Sequence, residues 1–463
     1  MTHIHLIGIG GTGLSAIARV LLEMGYTVSG SDKCTSANFD TITECGATTF
    51  LGHAPRHIQG ADLVIRSSAI KDDNPEVVSA RRLGIPVLKR ADFLYQLTGE
   101  KATIAIAGTH GKTTTTAMVI CMLINLEQDP SFIIGAVIKQ LNTNAKAGKG
   151  AYFVIEADEY DHMFFGLNPW ISLITNIEHD HPDCFPTPQD YQQAFHDFLD
   201  RTQINGTALL CNDDLGLQAL ITTRKHPAYT LMTYGINPKA DYQAQHISIN
   251  SSGCPKFDII FKTKDGILLN LGTCDLQIPG EHNVRNALGA LAIIHRLGLP
   301  LDKASQALAN FEGTERRFDI VGEAEGITVI NDYAHHPTQI RITMEAARQR
   351  FPRARLWAVW EPHTYSRTST LADDFVASFE SADKVIITKI YAAREIDTGF
   401  TPIPIVAALP PEKGIYIPEF EDVVTYLLNN LMNNDVILVL SAGNALQISE
   451  KTFTALSNRE KGK

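Results

Sequence analysis

Residues Thr103 to Thr116 read TIAIAGTHGKTTTT, and the rest of the chain is organised around them. Thr103 to Ala107 is an alternating, β-rich run. The turn that follows is bounded by Gly108 and Gly111, encloses Thr109 and His110, and delivers Lys112 to a helix-capable segment, Thr113 to Leu126. A strand, a glycine-rich turn and a helix N-terminus offer backbone N–H groups and the positive end of a helix dipole to an anion. A lysine at this place reaches the β- and γ-phosphates, and the hydroxyl of Thr113, with Thr114 beside it, suits Mg²⁺. The longer consensus asks for glycine six residues before the lysine; Ile106 stands there, so the match is to the shorter G-x-x-G-K-T form. The stretch is read as a triphosphate site.

Upstream, HIHLIGIGGTGLSAIARVLLEMGYTVSGSD runs strand, glycine turn, amphipathic helix (Leu14 to Met24), strand, acid. That order predicts a parallel βαβ unit. Gly8, Gly10 and Gly13 fit G-x-G-x-x-G, Gly11 and Thr12 complete the turn, and Asp32 closes the second strand. The physical content is that a diphosphate approaches the backbone while a carboxylate reaches a ribose hydroxyl. A nucleotide-sugar diphosphate satisfies this as well as NAD does, and both readings stay open here. Further strands are expected at Asp62 to Arg66 and Ile85 to Leu88, then a helix near Ala91 to Leu97, with Thr98 to Lys101 as the first linker.

Downstream, the strand ending at Ile155 runs into Glu156-Ala157-Asp158-Glu159-Tyr160-Asp161. Strand C-termini line the ligand crevice of a parallel α/β sheet, so these acids are expected beside the triphosphate. Mg²⁺ takes one or two hard carboxylates and otherwise keeps waters; Glu156 is the first candidate, with Asp158 and Glu159 behind it. The next strand, Ile171 to Thr175, ends in Asn176-Ile177-Glu178-His179-Asp180-His181-Pro182-Asp183, where one of the two histidines could bind a second metal ion or a phosphate oxygen. Residues 229 to 272 change to short β-like runs with turn signals, read as an antiparallel insertion. Helices are expected at Asn283 to Arg296 and Asp302 to Asn310. After Gly313 strand and helix alternate again to Leu456, and Ser457 to Lys463 reads as a frayed tail.

Bulk properties narrow the class. A formal charge of −11, from 40 Lys+Arg against 51 Asp+Glu, argues against a general nucleic-acid binder. The 44% hydrophobic and 20% charged content is that of a globular protein. The 7 cysteines are scattered without a C-x-x-C pair and read as reduced thiols. No leader pattern and no apolar run of about 18 residues is found. The expectation is a cytoplasmic protein without membrane or nucleic-acid partners.

In order, GIGGTGLSAIA, GTHGKTTTT, EADEYD, TNIEHDHPD, PGEHNVRNA, GTERRFD, NDYAHHPTQI and PHTYSRT make the chain resemble the Mur ligase family, ATP-dependent amide-bond formers of peptidoglycan synthesis. The resemblance covers nearly the whole chain. It implies an α/β protein of three domains: a Rossmann-like UDP-sugar module (1–98), a central P-loop ATPase with a mostly parallel sheet (99–313), and a Rossmann-like amino-acid domain (314–463). It further implies ATP and Mg²⁺, and addition of L-alanine to UDP-N-acetylmuramate by a monomer or weak homodimer. The alternative amine is the tripeptide L-Ala-γ-D-Glu-meso-diaminopimelate.

By the same resemblance, Lys112 serves the ATP phosphates, Thr113 and Glu156 hold Mg²⁺, and His181 holds a second metal ion. His282, Asn283 and Asn286 face adenine and ribose, Arg317 the nucleotide or acyl phosphate, and Asp332 the ribose or domain closure. Gly8, Gly10, Gly11, Thr12, Gly13, Asp32 and Ser68 take the UDP-sugar. Tyr333, His335, His336, His363 and Arg367 form the amino-acid pocket, Arg367 for the carboxylate. His282 and Asn286 also fall one helical turn apart, on one face, and the Arg316-Arg317 pair could clamp transferred phosphate. The chain departs from the alanine-adding pattern at Glu361 (commonly Gln), Thr364 (commonly Arg) and Ser441-Ala442-Gly443-Asn444 (commonly G-A-G-D). A nicotinamide oxidoreductase would leave Lys112 and the EADEYD acids unused. A nucleotide-sensing module without turnover would use both glycine turns.

Overall fold

The computed structural model describes residues 2–182, 184–224, 227–393 and 395–462. Asp183, last of the TNIEHDHPD motif, and Lys463 of the tail lie outside the described residues. The chain is α/β, with three sheets among the described residues, and divides into two compact units. One comprises Met1–Ile247, Phe257–Cys274 and Arg285–Phe311; the other Ser248–Lys256, Asp275–Val284 and Glu312–Lys463.

The first sheet has the order Thr48–Leu51, Thr27–Asp32, His3–Ile7, Leu63–Arg66, Val87–Lys89, all parallel. The order reverses direction at His3–Ile7, so the turn Gly8 to Gly13 opens at a topological switch point. A buried polar cluster braces this sheet from inside. Glu76, fully buried, accepts from Ser31 Oγ (2.5 Å) and Ala54 N (3.0 Å) and meets His57 Nδ1 at 2.8 Å and His5 Nε2 at 3.4 Å. Burial alone would raise its pKa, but the His5 and Ser31 contacts and the Ala54 N–H bring it down to about 2.

The second sheet places the strand of the opening stretch, Ala102–Ala107, between Tyr152–Glu156 and Ile171–Ile174, parallel to both. Its residues 104–107 are fully buried, as expected of a strand covered on both faces. The acid-bearing and histidine-bearing strand ends therefore flank the lysine turn. The antiparallel reading of residues 229 to 272 needs correction at its start. Thr230–Gly235 pairs parallel to Thr207–Cys211, and Tyr242–Ile249 is again parallel to it. Hairpin turns come only afterwards, closed by Asn250 N to Cys254 O (2.8 Å) and Thr263 N to Ile267 O (2.9 Å). These strands extend the same ten-stranded sheet and do not form a separate layer.

The third sheet runs Asp319–Ala324, Ile327–Asp332, Asp435–Leu440, Arg355–Trp360, Lys384–Ile387, Gly414–Tyr416. Only the first strand is antiparallel. That edge strand escapes a reading of the sequence, because DIVGEA lacks a sustained apolar alternation. Period two sorts the central strands: Leu356, Ala358 and Trp360 enter one core, Trp357 and Val359 the other. The tail is helical, not frayed: Leu446–Lys461 is one helix, with Arg459 and Lys461 at its C-terminal end.

Candidate active site

The lysine turn is held by residues distant in sequence. Gly108 has φ +131°, and a Cβ there would lie 2.1 Å from Thr175 Oγ1; Gly111 has φ +82°, and a Cβ there would lie 2.6 Å from Asn286 Oδ1. Both glycines are thus required twice, by conformation and by space. His110 N donates to Asn176 Oδ1 (2.9 Å), and Thr175 Oγ1 and Asn176 Nδ2 donate back to His110 O (2.5 and 2.9 Å). Thr109 Oγ1 donates to Glu178 O at 2.8 Å. The turn is therefore fixed from the neighbouring strand end before any ligand arrives. Thr114 is half-buried in the first helical turn.

Lys112 Nζ donates to Gly108 O (2.5 Å) and Thr109 O (3.2 Å) and pairs with Glu159 at 2.9 Å. Burial pulls the lysine pKa down, but Glu159, Asp158 and Glu156 together hold it above its ordinary value, so the ammonium is charged. Glu159, 1% exposed, also accepts from Tyr191 OH at 3.0 Å. Tyr191 in turn lies 3.0 Å from Thr109 Oγ1. Glu159 and Tyr191 thus form a supporting shell that sequence reading ranked low or missed. For Tyr191 the only signal was an aromatic at a helical spacing typical of core.

Thr113 Oγ1 donates to Glu156 Oε1 (2.9 Å), and Glu156 Oε2 accepts from Gly135 N (2.7 Å). A hydroxyl and a carboxylate in contact, beside a helix N-terminus, are the hard oxygen donors that Mg²⁺ takes, so the residues present fit that ion. His181 stands elsewhere in the same crevice. Its Nε2 is 4.0 Å from Glu159 Oε1 and its ring packs edge-on against Tyr160 at 5.1 Å. No described contact joins it to Thr113 or Glu156. Its backbone, at φ +55°, is in the left-handed region.

The helix Glu281–Arg296 carries the three residues expected at the nucleoside. Asn286 is against Gly111, as above. Asn283 Nδ2 donates to Pro279 O (2.7 Å), and His282 packs against Gly280, so these two shape the helix start. They belong to the second compact unit and Asn286 to the first.

In the first turn, Gly8 (φ +92°) lies against Ser67, Gly13 lies against Arg90, and Gly11 caps the helix Thr12–Glu23 without a side-chain bond. Thr12 Oγ1 accepts from Asn38 Nδ2 at 3.4 Å. Asp32 Oδ2 accepts from Gly10 N at 2.9 Å, so the carboxylate braces the loop itself. Ser68 is exposed in the turn after Leu63–Arg66, one residue beyond the serine that touches Gly8.

The second unit gathers the remaining candidates. Arg316 and Arg317 both stack on Tyr333, with guanidinium carbons 4.8 and 5.0 Å from the ring centre, and Arg316 Nη2 donates to Ser441 O at 3.1 Å. Asp332 accepts from Phe318 N (2.7 Å) and Ala334 N (2.8 Å) and braces both loops; burial raises its pKa against the pull of Arg317. His335 and His363 have ring centres 5.4 Å apart, and His363 Nδ1 meets Arg367 Nη1 at 3.1 Å. His336 instead caps the helix Pro337–Arg350 and is buried. Thr364, at φ +65°, accepts from Arg367 N as a helix cap. The departures Glu361 and Ser441 prove to be partners: Ser441 Oγ and Ala445 N donate to Glu361 Oε2 at 2.5 and 3.0 Å.

The fold and this site define an ATP-dependent ligase, and the chain belongs to the Mur ligase family. Family models match at residues 3–102 (Mur ligase family, catalytic domain), 106–294 (Mur ligase middle domain) and 316–443 (Mur ligase, glutamate ligase domain). Proteins called UDP-N-acetylmuramate-L-alanine ligase are 42% identical in Desulfosudis oleivorans, over 98% of both chains, and 40% identical in Caldanaerobacter subterraneus, over 97% of this chain and 96% of that one. The crystal structure of a UDP-N-acetylmuramate-alanine ligase from Thermotoga maritima superposes with TM-score 0.80 at 27% identity, covering 99% of this chain and 100% of that one. A murein peptide ligase from Psychrobacter arcticus superposes with TM-score 0.72 at 26% identity, covering 99% of each. Among the described residues no helix is long and apolar enough to cross a membrane.

Proposed function

We propose that this protein joins L-alanine to the lactyl carboxylate of UDP-N-acetylmuramate at the expense of ATP, through an acyl phosphate. The observation that carries the reading is the charged Lys112, fixed over its own turn beside Glu159, with the Thr113 and Glu156 oxygens in contact next to it. Relatives of that activity at 40 to 42% identity over nearly the full length support it.

A carboxylate is a poor electrophile until one of its oxygens becomes a leaving group. A carboxylate oxygen attacks the γ-phosphorus, the bond from that phosphorus to the bridging oxygen breaks, and ADP leaves. The amine nitrogen then attacks the acyl carbon, phosphate departs with the electron pair of its C–O bond, and the nitrogen loses a proton. Phosphoryl transfer asks for positioning and charge neutralisation more than covalent help. Lys112 would leave the carbonyls of its turn for the phosphate oxygens, Glu159 and Tyr191 keeping it oriented. Mg²⁺, held by Thr113 and Glu156, with His181 on a second ion, would neutralise phosphate charge when bound. Arg317 would meet the transferred group, and Asn286, His282, Asn283 and Asp332 the nucleoside side. The turn Gly8 to Gly13, with Asp32 and Ser68, would take the UDP moiety. Tyr333, His335, His336, His363 and Arg367 would take L-alanine.

The working divisions in this reading are 1–98, 99–313 and 314–463, in a cytoplasmic monomer or weak homodimer. The test is phosphate release measured with ATP, UDP-N-acetylmuramate and, in parallel, L-alanine, L-serine, glycine and the tripeptide. Release that requires both UDP-N-acetylmuramate and L-alanine, with ADP formed, supports the reading. Turnover with the tripeptide alone, or formation of AMP, refutes it.

A further inference from the structure

Arg90 is a half-buried cation to which the reaction above gives no task. It opens the helix Arg90–Thr98 directly after the strand Val87–Lys89, on the crevice edge of the first sheet. Its guanidinium fills the space that a side chain at Gly13 would occupy. A Cβ there would lie 1.7 Å from Nη1 and 2.9 Å from Cζ. The third glycine of the first turn is therefore demanded by an arginine approaching the helix N-terminus, where helix-sheet packing would be the usual reason.

The arginine is only partly satisfied. Nη2 stands 3.8 Å from Asp158 Oδ2, at the outer limit of an ion pair, and Nε is buried without a hydrogen-bond partner. The side chain is 18% exposed. A buried N–H left unpaired costs free energy, and a guanidinium stays charged even there. The neighbours cannot relax away. A Cβ at Gly166 would fall 1.9 Å from Ala91 O, so the first turn of this helix is pressed against the segment that follows the EADEYD acids. A dianionic group lying on the first turn would meet the helix N–H groups on one side and the open fork on the other.

We propose that Arg90 is the clamp for the diphosphate of the sugar nucleotide, exchanging Asp158 for phosphate oxygens when that ligand binds. The proposal rests on the reading of the first turn given above and deepens it.

The test uses the full chain and titrates UDP and uridine calorimetrically. Arg90→Met should raise the Kd for UDP about 30-fold while uridine binding stays within about two-fold, and Arg90→Lys, which keeps the charge but loses the fork, should raise it about 5-fold. Asp158→Asn should tighten UDP about three-fold by releasing the arginine. Thermal melts of each variant establish that it is folded; should Arg90→Met not fold, Arg90→Lys carries the test. Unchanged UDP affinity in the arginine variants, or equal loss for UDP and uridine, overturns the clamp. Unchanged UDP affinity in Asp158→Asn overturns the exchange. A wild-type protein that binds neither UDP nor UDP-N-acetylmuramate would bring down the reading of the first turn itself. Normal wild-type binding with an unaltered arginine variant overturns the clamp alone.

Discussion

The two glycine-rich turns, Gly8 to Gly13 and Gly108 to Gly111, share one backbone recipe and differ in what stands against it. Each follows a parallel strand and opens a helix. In the second turn the lysine comes from the turn itself, and Thr175, Asn176 and Asn286 hold the backbone, so the charge sits within the motif. In the first the turn carries no charge, Asp32 braces it, and the cation, Arg90, arrives from the far end of the sheet. A strand-turn-helix is thus a generic anion cradle, and the two turns differ in where the neighbouring charge is anchored.

Separating the two turns by mutation should give the largest effect at Lys112. Lys112→Ala should lower the rate of phosphate release about 10³-fold, because a positioned charge on a transferring group is lost, while UDP binding stays intact. A variant that loses UDP binding as well would show that the turns are not independent.

The support of the first turn is tested at Glu76. Its folded pKa, about 2, lies below its ordinary 4.5, so its contribution is complete above pH 4.5 and disappears as pH falls towards 2. Glu76→Gln should therefore destabilise by about 3 kcal/mol near neutral pH. In denaturant titrations the difference from wild type should shrink between pH 4.5 and 2. A gap independent of pH over that range would mean that the charge is not what the histidines hold.

Glycine substitutions compare the turns directly. Gly111→Ala meets Asn286 at 2.6 Å and a positive φ, and should cost about 1–3 kcal/mol with a raised KM for ATP. Gly11→Ala meets only Gly8 O at 3.4 Å and should cost under about 1 kcal/mol. Equal melting temperatures would refute the claim that the second turn is the more tightly enclosed.

The smallest effect is expected in the second unit, where Glu361 and Ser441 share a hydrogen bond. Glu361→Gln should raise the KM for L-alanine by about five-fold or less, and adding Ser441→Gly should cost less than the sum of the single changes. Strict additivity would show that the two departures are unrelated.

Much of this was legible in sequence because it is local. Alternation in TIAIA makes a strand, glycines with positive φ make the turn, and parallel order puts the EADEYD acids, Glu178 and Asp180 at the crevice end of the sheet. The antiparallel edge strand Asp319–Ala324 and the parallel pairing of Thr230–Gly235 were not legible, since pairing partners leave no mark on a short strand's own periodicity.

The sequence by itself determined the α/β class, the lysine turn and the placing of hydroxyl and carboxylate oxygens near it, because periodicity, turn chemistry and strand polarity act over a few residues. Only the tertiary structure decided that Glu159 and Tyr191 orient Lys112, that Asn286 rather than a neighbour closes Gly111, and that Arg90 lies on Gly13. Those contacts join residues brought together by sheet order and helix packing. A buried charge finds its partner through the space that folding leaves, which no stretch of sequence contains.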